Sequence, residues 1–230
     1  MSTDSNSRIL FISLNPHPGF YRKYRSLVSR VLHVASLEQT NKPIPAMRAL
    51  GENPKAVIIT DDALATPRYS TVWGAVIRYM RNGGTAICMG DFSCRLREEH
   101  FRTFFSRAGL AWEYDSFGLC QSNLNSDFLP KEIIDLLPAT HFAKAVHLTN
   151  VGDAAWYRLQ HIIKRKQEHD ENAMSDEHPL AWTILKDSTP VAMAQVENGY
   201  MGFVGDANPS EESNLVIIAM EEVRNPKSGF

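Results

Sequence analysis

Cys88 has the setting that a thiol nucleophile requires. It lies near the end of the apolar run Thr85–Met89, after the pair Gly83-Gly84 and just before Gly90 and Asp91. A cysteine where a strand gives way to a helix gains from the helix N-terminus, which lowers the thiol pKa. Such a thiol also needs a base within hydrogen-bond reach, usually histidine. His17, His141 and His178 are the candidates, and no local spacing sets any of them beside it. The competing reading is packing, because free cysteine is among the most buried residue types.

A second set of residues carries oxygen chemistry. Asp61, Asp62, Asp91 and Asp206 each follow an apolar run that reads as a strand, and Asn208, Glu211 and Glu212 come shortly after the last of these runs. If the strands are parallel, these groups leave by one edge of the sheet, where open α/β sheets bind ligands. Together with His17, in the loop Asn15-Pro16-His17-Pro18-Gly19, they form a candidate crevice for a cation, for a hydroxyl-bearing polar ligand or for acid/base work. Taken singly, an Asp after a strand is also a helix cap or turn former. The eight histidines show no H-x-H, H-x-x-x-H or H-E-x-x-H spacing, so no metal site is expected. Neither a Walker loop nor G-x-G-x-x-G occurs, and no cofactor is expected.

The elements that must position these residues follow from periodicity. Arg8–Leu14, Ala35–Glu38 and Lys55–Thr60 read as strands, with Tyr21–Val34 and roughly Ala46–Gly51 as helices between them. Tyr69–Arg81 is the clearest helix, with Val72, Trp73, Val76, Ile77 and Met80 as its apolar stripe and Gly83 as its C-terminal stop. Thr85–Met89 is a strand, and Glu98–Ala108 a helix turning Phe101, Phe104 and Phe105 inward. Further on, Ala111–Leu119 and Lys144–Leu148 read as strands and Pro130–Leu137 as a short helix. Gln160–His178, with eight charged residues and three histidines, reads as a solvated excursion. Leu180–Leu185 and Val191–Val196 read as a β-hairpin, Tyr200–Val204 as a strand, and Glu212–Val223 as the last helix. Alternation on this pattern predicts βαβ units and a layered sheet.

Bulk properties narrow the classes. A chain of 230 residues with 43% hydrophobic and 22% charged residues is ordinary globular material. A net charge of −2 gives no reason to expect nucleic acid or an anionic membrane. Three cysteines without C-x-x-C spacing support neither a disulfide framework nor a zinc knuckle. With no signal-like h-region, a cytoplasmic location is expected. Residues 1–7 are expected to be disordered, 8–224 to form one domain, and 225–230 to be a frayed tail.

Three features together resemble the class I glutamine amidotransferase-like superfamily, which includes DJ-1/PfpI and ThuA-like proteins. They are Ala56-Val-Ile-Ile-Thr-Asp-Asp followed by a helix and Arg81-Asn-Gly-Gly-Thr-Ala-Ile-Cys-Met-Gly, the late hairpin, and Glu197-Asn-Gly-Tyr-Met-Gly-Phe-Val-Gly-Asp. The resemblance implies a flavodoxin-like three-layer α/β sandwich, mostly parallel, with an antiparallel hairpin in its C-terminal half. In catalytic members a Cys sits on a strained G-x-C-x-G elbow. Here Ala86-Ile87-Cys88-Met89-Gly90 matches with Ala for the first Gly, and Asn208 stands where the His of His-Pro-Glu would be. Asn takes no proton from a thiol, so the expectation is a member without amidotransferase chemistry that binds a small polar molecule or a protein partner at the sheet edge. The alternatives are a hydrolase or DJ-1-like enzyme using Cys88, and a homodimer-forming interaction module using Ala111–Leu119 or the last helix.

Overall fold

The computed structural model describes residues 8–164, 181–183 and 187–223. The first half runs β1 (Arg8–Ile12), α1 (Phe20–Lys23), α2 (Arg25–Val34), β2 (Ser36–Thr40), α3 (Pro43–Gly51), β3 (Ala56–Ile59), α4 (Ser70–Arg81), β4 (Thr85–Cys88), α5 (Asp91–Arg95) and α6 (Glu98–Ser106). The second half runs β5 (Glu113–Leu124), α7 (Lys131–Ile134), β6 (Thr140–Thr149), β7 (Tyr157–Lys164), β8 (Ala181–Thr183), β9 (Val191–Val196), β10 (Gly199–Val204) and α8 (Glu211–Glu222).

The main sheet has six strands in the order β2-β1-β3-β4-β10-β9. Its first five strands are parallel neighbours, and β9 closes the edge antiparallel to β10. β1, β3 and β4 are short because every residue but Arg8 is buried, which only a sheet covered on both faces permits. Side chains alternate across it. Leu10, Ile12, Val57, Ile59, Ala86 and Cys88 pack with Val72, Trp73, Val76 and Met80 of α4 and the phenylalanines of α6. Ile9, Phe11, Ala56, Ile58 and Ile87 pack with Leu27 and Val31 of α2 and Val216, Ile217 and Met220 of α8. Helices on both faces give the three layers expected. α4 stops where its stripe predicts, and Gly83 takes φ 104°.

The late strands depart from the reading of the sequence. Val191–Val196 does form a hairpin, but its partner is β10, through the two-residue turn Glu197-Asn198. Ala181–Thr183 pairs instead with β7, in a second, antiparallel sheet of order β6-β5-β7-β8. Gln160–Lys164, read as excursion, belongs to β7. The rest of that segment, together with residues 1–7 and 224–230, lies outside the described residues. The second sheet leans on the first through short bridges at Ala145–Asp206, Leu148–Thr189 and Ala155–Ala192. Among the described residues no helix is long and apolar enough to cross a membrane.

Candidate functional site

Because β1, β3, β4 and β10 are parallel, Asn15, Asp61, Asp62, Asp91 and Asp206 all emerge at one edge of the sheet. They form two groups there rather than one.

The first group lies where the strand order turns, between β1 and β3. Ser13 and Thr60 join their hydroxyls at 2.6 Å. Asp61 accepts from the Asn15 N–H at 2.9 Å and from the Ala63 N–H at 3.1 Å. It therefore caps a turn and pins the loop after β1. Burial pushes its carboxyl up, and those two N–H groups pull it back. Asp62 pairs with Arg95 at 3.6 Å, and Arg95 also donates to the Asn15 carbonyl at 3.1 Å. His17 takes no part in this. Its Nδ1 accepts from the Gly19 N–H at 3.1 Å, and the ring lines a separate hollow of about 370 Å³ with Gln39 and Asn41.

The second group surrounds the turn from β4 into α5. Cys88 is still inside the strand, 0% exposed, paired with Ile59 on one side and Phe203 on the other. Burial pushes its thiol well above the ordinary range. The strained residue of this turn is two positions further on: Gly90 takes φ 66°, ψ −124° immediately before α5. A strand-to-helix elbow exists, but glycine stands at its apex. A Cβ at Gly90 would lie 2.6 Å from the Tyr24 hydroxyl, so Tyr24 occupies the space that a side chain on the apex would enter. Tyr24 is 1% exposed, and its hydroxyl lies near the Lys23 ammonium but makes no well-formed hydrogen bond among the described residues. Burial raises it to about 12, against the pull of the Lys23 ammonium.

Lys23 ties this group together. Its Nζ meets Asp91 Oδ1 at 2.9 Å and sits 5.2 Å from the centre of the Tyr24 ring. Burial lowers its pKa, but Asp91 and Tyr24 outweigh that and hold it above the usual lysine value. Cys94, which the sequence reading passed over, is exposed and lies within the fields of Lys23, Asp91, Asp206 and Lys144. The missed signal was Asp91-x-x-Cys94, a helical i, i+3 pair directly after an elbow.

Asp206 anchors the far wall. It accepts from Ser213 Oγ at 2.6 Å and from the Asn208 N–H at 3.0 Å. Ser213 Oγ also meets His141 Nε2 at 2.8 Å and accepts from Ser210 Oγ at 3.0 Å. With its hydrogen given to Asp206, Ser213 accepts from His141, which assigns the imidazole proton to Nε2. The serine stands between Asp and His, so this is a structural relay linking α8 to β6, not a triad with histidine at its centre. Burial lowers the His141 pKa, and Asp206 and Glu212 pull it back up. Of the remaining candidates, Asn208 is exposed, and Glu211 is drawn to α2 by Arg30 and Ser26 rather than to the Asp91 group. Among the described residues no three His, Cys, Asp or Glu side chains are placed to hold a metal ion.

The layers, strand order and edge hairpin define a flavodoxin-like α/β fold. No protein-family model matches the chain, and no curated protein matches its sequence. Solved structures do. A ThuA-like protein from Bacteroides uniformis matches with a TM-score of 0.56 at 12% identity, over 94% of this chain and 89% of that one. A cytoplasmic protein from Salmonella typhimurium LT2 matches with a TM-score of 0.53 at 12% identity, over 94% and 99%. A β-galactosidase from Bacillus circulans matches with a TM-score of 0.56 at 9% identity, over 96% of this chain but only 32% of that one. At these identities the likeness is one of fold.

Proposed function

We propose that this protein is a non-amidotransferase member of the superfamily that binds a small polar ligand at the C-terminal edge of its main sheet. The observation that carries this reading is the elbow: its strained apex is Gly90, with Tyr24 filling the space beside it. A thiol nucleophile has no place there, and Cys88 lies buried in the strand behind. What the edge offers instead is the Lys23–Asp91 ion pair beside exposed Cys94, with Asp206 held behind them. Paired charges of both signs suit a neutral ligand with several hydroxyl or amide groups, each able to replace part of an existing ion pair. The test is a thermal-shift panel of neutral polyols, amino acids and nucleosides. A ligand of this site raises Tm in the natural protein and loses its effect in Asp91→Asn and Lys23→Met. Equal shifts in both variants would move the site elsewhere.

A second reading rests on a separate observation. Phe117, Leu119 and Phe142 lie exposed on one face of the β5–β6 pair, an apolar face suited to a second copy of the chain. Sedimentation at rising concentration tests it, with Phe117→Asp as the disrupting change.

A further inference from the structure

Away from the sheet edge, a groove of about 900 Å³ lies between α1–α2 and α8, lined by Arg22, Arg25, Arg30, Ser26, Ser29 and His33, with Val34, Leu215 and Ile218 as its apolar members. Lys23 reaches its rim. Positions 22, 25, 26, 29, 30, 33 and 34 recur at helical spacing, so they form one stripe, opposite the buried face of Phe20, Tyr24, Leu27 and Val31.

The charge of this stripe is not explained by the stability of the fold. Between Asp4 and Glu38 the chain has five Lys or Arg residues and no acidic one, although its net charge is −2. α2 has no acidic residue in its first turn and begins on Arg25, where the helix dipole disfavours a cation. An ordinary exposed helix face mixes signs at i, i+4 and gains from doing so. Glu211 answers Arg30 and Asp91 answers Lys23. Arg22 and Arg25 are exposed, and their side chains make no hydrogen bond or ion pair among the described residues. Val34 is also left 52% exposed at the groove's end. A groove with cations along one wall and aliphatic groups along the other is complementary to a segment carrying both carboxylates and apolar side chains. The aliphatic groups argue against a polyphosphate, which has nothing to set against them.

We infer that this groove docks an acidic amphipathic helix of a partner protein. The stripe spans the thirteen residues from Arg22 to Val34, roughly 18 Å end to end at 1.5 Å rise per step, which seats about three turns. Carboxylates of the incoming helix pair with Arg22 and Arg25, its aliphatic side chains cover Val34, Leu215 and Ile218, and the groove uses the helix-in-groove mode of recognition.

The experiment is fluorescence anisotropy with a labelled synthetic helical peptide bearing Glu on one face and Leu on the other. Its control has every Glu replaced by Gln. The acidic peptide is expected to bind, to weaken as salt is raised, and to lose at least tenfold in affinity to Arg22→Glu/Arg25→Glu, with far-UV circular dichroism unchanged. The Gln peptide is expected to bind at least tenfold more weakly. Four results would overturn the inference: no binding of the acidic peptide, equal binding of both peptides, indifference to the charge reversal, or full displacement by tripolyphosphate at matched charge. The last would make the groove a site for small anions.

Discussion

Gly90 concentrates the account in one residue. Its φ of 66° lies where side chains are disfavoured, and any Cβ would meet Tyr24 at 2.6 Å. Gly90→Ala is therefore expected to destabilise by about 2–4 kcal/mol, from backbone strain and overpacking together, measured as a lowered midpoint in urea at unchanged slope. Tyr24→Phe removes a buried hydroxyl that makes no well-formed hydrogen bond among the described residues. It is expected to be neutral or stabilising by up to about 1 kcal/mol, and to recover part of the loss when combined with Gly90→Ala. A loss of more than about 2 kcal/mol in Tyr24→Phe alone would show a hydrogen bond that this structure does not contain. At this scale the sequence left two readings of Cys88 open, nucleophile and packing. Cys88 and the glycine after it were both visible, but a one-letter pattern does not show which of them carries the strained dihedrals.

At the scale of elements, the first half was legible because each unit carries its own signal. α4 has a full apolar stripe, β3 and β4 are unbroken apolar runs, and Gly83 ends the helix between them. The late strands were misassigned because β8, β9 and β10 are alike in composition and differ only in their partners, which is a tertiary fact. The turn itself is Glu197-Asn198, with Glu197 at φ 54°, a conformation that the sequence pattern does not signal. Two of the candidate carboxylates proved to serve elements: Asp61 caps a turn, and Asp206 holds α8 through Ser213. Ser213→Ala would leave Asp206 and His141 each short of a partner, and is expected to cost about 2–4 kcal/mol by denaturant unfolding. α8 also buries Glu221 at 2% exposure, with neither carboxylate oxygen paired among the described residues. Burial is the main cause raising its pKa from 4.5 to about 8, Lys55 opposing. Between those values the folded chain holds a proton that the unfolded chain has lost. This contribution is therefore full below pH 4.5 and is lost as pH rises through 8. Glu221→Gln is expected to flatten that slope and to gain on the order of a few kcal/mol at pH 9 relative to the natural chain, read from unfolding midpoints across pH.

At the scale of the molecule, two sheets of different kinds meet at the candidate site. The parallel sheet brings its strand ends to one edge, and the antiparallel sheet brings the His141 relay against it. The outer face of the antiparallel sheet leaves Phe117 at 44% and Phe142 at 59% exposure, with the Lys144 ammonium 5.2 Å from the Phe117 ring centre. If a second copy covers this face, sedimentation shows a concentration-dependent dimer, and Phe117→Asp gives a monomer of unchanged stability. The central claim, that the elbow holds no thiol nucleophile, is tested by native-state alkylation with iodoacetamide at neutral pH, each cysteine followed by peptide mass. Exposed Cys94 is expected to be labelled first, while Cys88 stays unlabelled until the chain is unfolded. Rapid labelling of Cys88 in the folded protein, at a rate that saturates below neutral pH, would contradict it.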